Sequence, residues 1–497
     1  MPENVYHLLM PRVFDANKKV IVDECGISWR RPELESLIDN IASVLLDAGV
    51  APGDRVGAKT EKSVHSFCLY LAALKIGAVW LPMNTAYTQA EVDLILSDAT
   101  PKVLVWSEPM NLKHTTCLTM AADGSGTLMQ AAVQDSKGVR TVCRHSQDLA
   151  AILYTSGTTG RPKGAMITHG NLEFCAATLA HVWGVTSGDT LLHALPTFHA
   201  HGLFIAANTM LAARASMIFL PKFDPEKVLS LLSKATMFMG VPTLYTRLLA
   251  NERFNAELCK NIRLFTSGSA PLSAETFAEF KARTGHTLLE RYGMTETTII
   301  TSNPLSDERV AGSVGYALPG VSIQARRQDG RIAAVDEVGE LVVKGPNVLK
   351  GYWNLSEKTA AEFTSDGYFK SGDLVRIDKH GRVWIVGRNK DLIITGGYNV
   401  YPREVETALS RYSAVRDCAV IGVPHADFGE AVIAIVELND TANFDAKSTI
   451  GDLSTQLAKY KIPKEIFVVP SLPRNAMGKI QKNVLKDEFS STFSCKA

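Results

Sequence analysis

No Cys-x-x-Cys pair, no Gly-Lys-Ser/Thr triplet and no unbroken apolar run long enough to span a bilayer occurs in this 497-residue sequence. Its eight cysteines are scattered at 25, 68, 117, 143, 175, 259, 418 and 495. That pattern argues against a zinc ribbon or dithiol redox centre and for reduced thiols. The most apolar stretches, 69–83 and 202–220, are interrupted by Lys75 and Arg214 and read as buried helix and strand, with no integral membrane association. A surplus of one charge is also missing. The 52 Lys plus Arg against 51 Asp plus Glu create no global field for nucleic acid or an anionic membrane, so any anion must be held by local groups. The first residues, Met-Pro-Glu-Asn-Val-Tyr-His, lack a charged segment ahead of an apolar one, and the last, Ser-Cys-Lys-Ala, only loosely resemble a peroxisomal signal. A cytoplasmic protein is expected, and the sequence does not set its oligomeric state.

What is present is the composition of a soluble globular chain, 46% apolar and 21% charged, long enough for two to four folding units at roughly 100–200 residues each. Apolar residues at 34, 37, 38, 41, 44 and 45 form a helical stripe that stops at Gly49-Val-Ala-Pro-Gly53. A strand (55–58), helix (62–75), strand (78–83), helix (89–97) and strand (102–106) are expected next. This alternation predicts an α/β fold with layered, mostly parallel sheets, and the rhythm returns between 150 and 265. After about Gly320 it gives way to short strands and turns. The apolar-poor run Gly387-Arg-Asn-Lys-Asp391 reads as a linker to a small α+β unit. The expected division is 1–389 and 390–497.

Residues 150–164 read Ala-Ala-Ile-Leu-Tyr-Thr-Ser-Gly-Thr-Thr-Gly-Arg-Pro-Lys-Gly, an apolar strand entering a loop of glycines, hydroxyls and cations. Gly157, Gly160 and Gly164 allow close backbone approach to an anion. Thr155, Ser156, Thr158 and Thr159 supply donors, and Lys163 supplies a charge. On composition alone, a plain surface loop is an equal alternative. The complete string resembles the signature of the adenylate-forming superfamily, which includes acyl-CoA synthetases, peptide-synthetase adenylation domains and beetle luciferases. Similar segments follow in that superfamily's order: Leu195-Pro-Thr-Phe-His199, Ser267-Gly-Ser-Ala-Pro-Leu272, Tyr292-Gly-Met-Thr-Glu296, Tyr368-Phe-Lys-Ser-Gly-Asp373, Gly387-Arg388, Gly396-Gly-Tyr-Asn399 and Pro473-Arg-Asn-Ala-Met-Gly-Lys479.

The resemblance implies a large, multi-subdomain N-terminal adenylation domain hinged at Lys390 to a small mobile C-terminal lid. It also implies ATP, CoA and Mg2+. The nucleotide is expected to meet Thr155, Ser156, Gly157, Thr158, Thr159, Gly160, Arg161, Pro162 and Lys163. Further contacts are expected from Ser269, Ala270, Pro271, Glu290, Arg291, Tyr292, Gly293, Asp373, Arg388 and Lys479. Glu296 is implied as the magnesium ligand, Thr295 as an α-phosphate contact, Asp373 as the acceptor of the ribose hydroxyls and Lys479 as the catalytic lysine. The lid would then rotate to bring in Gly396, Gly397 and Tyr398 for coenzyme A.

Arg291 and Arg247 are the unusual residues of the expected acyl pocket, alongside Ser267, Met294, His199, Ala200 and His201. Two cations there suggest a substrate with a second carboxylate; an internal salt bridge is the alternative. Phe198-His-Ala-His-Gly202, Met217-Ile-Phe-Leu-Pro-Lys-Phe-Asp224 and Glu290-Arg-Tyr-Gly-Met-Thr-Glu-Thr297 are most similar to the malonyl-CoA synthetases within the superfamily. The resemblance therefore implies malonate activation through an acyl-adenylate, with His199 lining the pocket. Ala200 leaves room for methylmalonate. Rival readings are a ligase for short fatty or aromatic acids, a luciferase-like oxidase and an inactive nucleotide-binding sensor.

Overall fold

The computed structural model describes residues 4–11, 15–132, 138–155, 162–425, 427–439, 444–475 and 478–493. The helix Arg31–Asp47 has Pro32 in its first turn, where a missing N–H is tolerated, and buries Leu34, Ile38, Ile41, Ala42 and Leu45 along one face. The helix Val64–Lys75 is buried almost all round and is capped by Ser63, whose hydroxyl accepts from Ser66 N. Thr88 and Glu91 form a reciprocal cap on Gln89–Ala99. Each element falls within a few residues of its expected position.

Two sheets organise the larger part of the chain. A seven-stranded sheet runs in the order Gly351–Tyr352, Lys163–Thr168, Leu149–Thr155, Val79–Pro82, Arg55–Lys59, Val103–Trp106, Thr116–Thr119. It is parallel from Leu149–Thr155 onward. In a 13-stranded sheet, Leu289–Tyr292, Leu264–Ser267, Met237–Gly240, Thr190–His193, Ser216–Phe219 and Lys19–Asp23 are parallel neighbours. Pairing becomes antiparallel at Thr301–Ser302 and stays so through the short strands beyond it. The carboxyl ends of the parallel strands therefore lie along one edge, the usual ligand edge of an open α/β sheet. Ser267, Arg291 and His193 all sit there.

The C-terminal sheet orders Tyr398–Val400, Ile393–Thr395, Gly429–Leu438 and Val415–His425 as antiparallel neighbours, while Glu465–Val469 pairs in parallel with Gly429–Leu438. Its two faces bury separate cores. One includes Val405 and Leu453, the other Leu472 and Leu485. The expected linker is shorter than its composition suggested: Gly387 and Arg388 still pair with Leu374 and Asp373, leaving only the turn Asn389–Asp391. Among the described residues, no helix is long and apolar enough to cross a membrane.

Candidate active site

The glycine-rich loop grows from a hairpin. Leu149–Thr155 and Lys163–Thr168 are antiparallel, with Thr155 opposite Lys163 at the neck. Ser156, Gly157, Thr158, Thr159, Gly160 and Arg161 lie outside the described residues; Pro162 and Lys163 close the hairpin. A Cβ on Gly164 would stand 2.7 Å from Ile152 Cγ2, so glycine permits the two strands to pack here. The Lys163 ammonium lies 5.4 Å from the Tyr352 ring centroid. Tyr352 in turn donates its hydroxyl to Glu296 Oε1 at 3.1 Å. Burial raises the Glu296 carboxyl above its ordinary value despite the Tyr352 bond and the nearby Arg388 and Lys163 charges. Thr295, Met294 and Gly293 precede it in a half-buried loop. A Cβ at Gly293 would meet Thr298 O at 2.0 Å, which explains the glycine sterically.

Asp373 and Arg388 are cross-strand partners, their Nε–Oδ1 distance 2.9 Å. Tyr292 donates its hydroxyl to Asp373 Oδ2 at 2.5 Å. Arg388 is raised because Asp373 and Tyr292 outweigh the opposing effect of burial. Lys479 enters this neighbourhood from the C-terminal unit. Burial and the Arg388 charge lower its ammonium to about 8, against the opposing pull of Asp373. Gly478 has φ +74°, and a Cβ there would be 3.1 Å from Thr243 Oγ1, so the Lys479 loop lies against the larger unit. Three sequence-distant candidates, Asp373, Arg388 and Lys479, are thus brought together.

The pocket cation is Arg291. Only 2% exposed, it sits under Gly268, where a Cβ would fall 2.6 Å from the guanidinium carbon. Among the described residues, its Nε and Nη2 have no hydrogen-bond partner, and neither do His201 Nε2, Thr266 Oγ1 or Ser267 Oγ. Among the described residues, no carboxylate pairs with Arg291. Burial lowers its guanidinium to about 10. Burial and Arg291 together lower His199 to about 4 and hold His201 well below the ordinary histidine range. Both imidazoles are therefore neutral near pH 7. His199 Nδ1 accepts from His201 N at 3.2 Å, and His201 Nδ1 meets Ser269 Oγ at 3.1 Å. Ala200 is buried between them, whereas Ala270 is half-buried and Pro271 exposed.

Arg247 is a correction. On Pro242–Leu249 the buried residues include Leu244, Tyr245, Leu248 and Leu249, a helical stripe that turns Arg247 to the exposed side. It is not a second buried pocket cation. Glu290 also points away from Arg291, as strand alternation requires. Burial raises its carboxyl to about 7, opposed by Arg403 and a Leu272 backbone bond. Gly396 and Gly397, at φ +55° and +81°, form the two-residue turn between Ile393–Thr395 and Tyr398–Val400, a conformation glycine adopts without strain. Tyr398 is exposed and stacks on Tyr460 at 4.7 Å. Lys390 is exposed in the connecting turn.

A family model described as AMP-binding enzyme matches residues 15–353, and one described as its C-terminal domain matches 404–479. The chain belongs to the AMP-binding enzyme family. It is 36% identical to a malonate–CoA ligase of Arabidopsis thaliana, over 89% of this chain and 79% of that protein. MatB from Rhodopseudomonas palustris with ATP bound superposes with a TM-score of 0.97 at 48% identity, over 99% of this chain and 100% of MatB. Apo MatB, at the same identity and coverage, gives 0.86. The arrangement of this AMP-binding enzyme is therefore more similar to the ATP-bound form. A separate cavity of about 420 Å³, lined by residues including Ser146, Asn171, Lys344 and Lys350, contains none of the expected site residues. Sequence reading missed Tyr352, whose contacts to Glu296 and Lys163 span dozens of residues without a local signal; Gly268 lies within the Ser267–Leu272 segment, but its packing over Arg291 is visible only in the fold.

Proposed function

We propose that this AMP-binding enzyme is a malonate–CoA ligase: it joins malonate to AMP using ATP, releases pyrophosphate, and transfers the malonyl group to the coenzyme A thiol with loss of AMP. The observation that carries this reading is Arg291, a buried guanidinium whose Nε and Nη2 meet no hydrogen-bond partner, and which meets no carboxylate, among the described residues. A distal substrate carboxylate can accept those N–H groups and offset the cost of burying the charge. The neutral His201 beside it supplies orientation without adding another charge. An acid with only an alkyl or aryl tail would leave Arg291 unpaired, which favours a dicarboxylic substrate by the same argument. The small Ala200 extends the reading to methylmalonate.

At the other end of the acid, a carboxylate must approach the α-phosphate, so two anions have to be brought together. Lys479 and Arg388 provide the positive charge for that approach, and Asp373 accepts from the ribose hydroxyls. Thr295 contacts the α-phosphate, while Thr155 and Lys163 flank the phosphate loop. Magnesium fits the donor set: Glu296 offers one buried carboxylate, and this cation usually takes one or two carboxylates with phosphate and water completing its shell. Bound there, it would neutralise phosphate charge. Residues 1–389 and 390–497 act as body and lid about Lys390, and the Gly396-Gly397-Tyr398 turn guides the thiol after the lid rotates. The exposed Tyr398 supports a role in another arrangement. The described cysteines are all free thiols, which fits a reducing compartment.

AMP formation measured with malonate, methylmalonate, succinate, acetate, octanoate and benzoate tests the proposal. The expected result is highest kcat/KM with malonate, dependent on both ATP and coenzyme A. A preference for acetate, octanoate or benzoate would retain a ligase but reject the dicarboxylic assignment.

A further inference from the structure

We propose that Lys62, acting through His193, positions the wall of the acid pocket formed by residues 196–202. Lys62 is buried, and its ammonium donates to His193 Nδ1 at 2.7 Å and His193 O at 2.8 Å. It lies 4.3 Å from the Phe219 ring centroid. Among the described residues, no carboxylate pairs with it, and burial pushes its amine well below the ordinary lysine value. Fold stability alone does not account for such a group, because a hydrophobic side chain of similar shape would avoid its desolvation cost.

Its partner explains where the interaction leads. His193 Nε2 lies 2.7 Å from Gly202 O. A carbonyl can only accept, so the His193 proton resides on Nε2 and Nδ1 has the lone pair that Lys62 approaches. Gly202 belongs to the π-helical turn His201–Ala207, a geometry often used to aim side chains at functional sites. On its other side, a Cβ on Gly202 would fall 2.0 Å from Pro196 O. The segment is pinned at Gly202 between Pro196 and His193. Between these contacts it carries His199, Ala200 and His201, and His201 meets Ser269 across the pocket. Lys62 thus sets the position of these side chains relative to Arg291 without entering the pocket.

This inference rests on the pocket assignment but not on which acid is used. The acid preferred by the wild-type enzyme is established first, and the variants are then measured with that acid. Lys62→Met keeps an unbranched stem as far as the ε position and removes the donor. Its expected kcat/KM for the acid falls at least tenfold, KM for ATP stays within twofold, and the melting temperature is unchanged or raised. His193→Gln keeps an N–H for Gly202 and an oxygen for Lys62, and is expected to retain more activity than His193→Met. Unchanged acid kcat/KM in Lys62→Met would overturn the proposal. So would parallel loss of acid use, ATP use and melting temperature, which would assign Lys62 to folding alone. If Lys62→Met does not fold, equal activity of the two His193 variants would also overturn it.

Discussion

Lys479 shows how one side chain depends on charges far away in sequence. Burial and Arg388 bring its ammonium to about 8, so its protonated fraction falls as pH rises through that value. Because kcat/KM reports the free enzyme, adenylation should lose kcat/KM for ATP above about pH 8, and Lys479→Ala should remove that limb from the profile. The variant should also lose roughly 10² to 10³ in kcat, comparable with loss of a transition-state donor. A retained alkaline limb would assign the titration elsewhere. Arg247 makes the opposite case. Its exposure on Pro242–Leu249 predicts that Arg247→Ala will leave acid kcat/KM within about twofold, since isolated exposed charges contribute little; a hundredfold loss would return it to the pocket. Arg247 and Arg291 both stood out in the sequence, but only Arg291 is buried. A position in a contiguous motif fixed its strand and face, whereas Arg247 required the helix's buried stripe to be known.

The elements add contacts that no local pattern contains. Gly351–Tyr352 pairs with Lys163–Thr168, bringing the Tyr352 ring near Lys163 and its hydroxyl to Glu296. Tyr352→Phe should therefore lower kcat by about 10- to 100-fold, as loss of an orienting partner does at metal sites, while acid KM changes little. A comparable rise in acid KM with kcat preserved would argue against that placement. The early α/β alternation was readable because one-sided helices and short apolar strands follow different periods. The glycine turn at 396–397 was also readable as an ordinary turn. The junction between parallel and antiparallel strands was less accessible, because short strands can satisfy their backbone bonds in either direction.

Across the molecule, the C-terminal unit reaches the larger one through more than Lys479. Arg403 donates to Leu272 O at 3.3 Å and opposes the upward shift that burial gives Glu290. Since the folded Glu290 value is about 7, above that of an unfolded carboxyl, its favourable contribution is fully present below the unfolded pKa and is lost as pH rises through 7. Glu290→Gln should therefore gain stability relative to wild type at pH 8, by about 1–3 kcal/mol, with the difference shrinking towards pH 5. Chemical denaturation at the two pH values measures this; an unchanged difference would remove Glu290 as its source. The proposed function turns on the distal charge of the acid that the whole assembly admits. It is tested most directly by comparing malonate and propionate kcat/KM in wild type and Arg291→Met. Pairing of Arg291 with a distal carboxylate predicts strong malonate preference in wild type and loss of about 10² to 10³ in malonate kcat/KM in the variant, as expected when a buried charge pair is broken, with propionate little impaired. Undiminished malonate preference in Arg291→Met would contradict recognition of the distal carboxylate by Arg291.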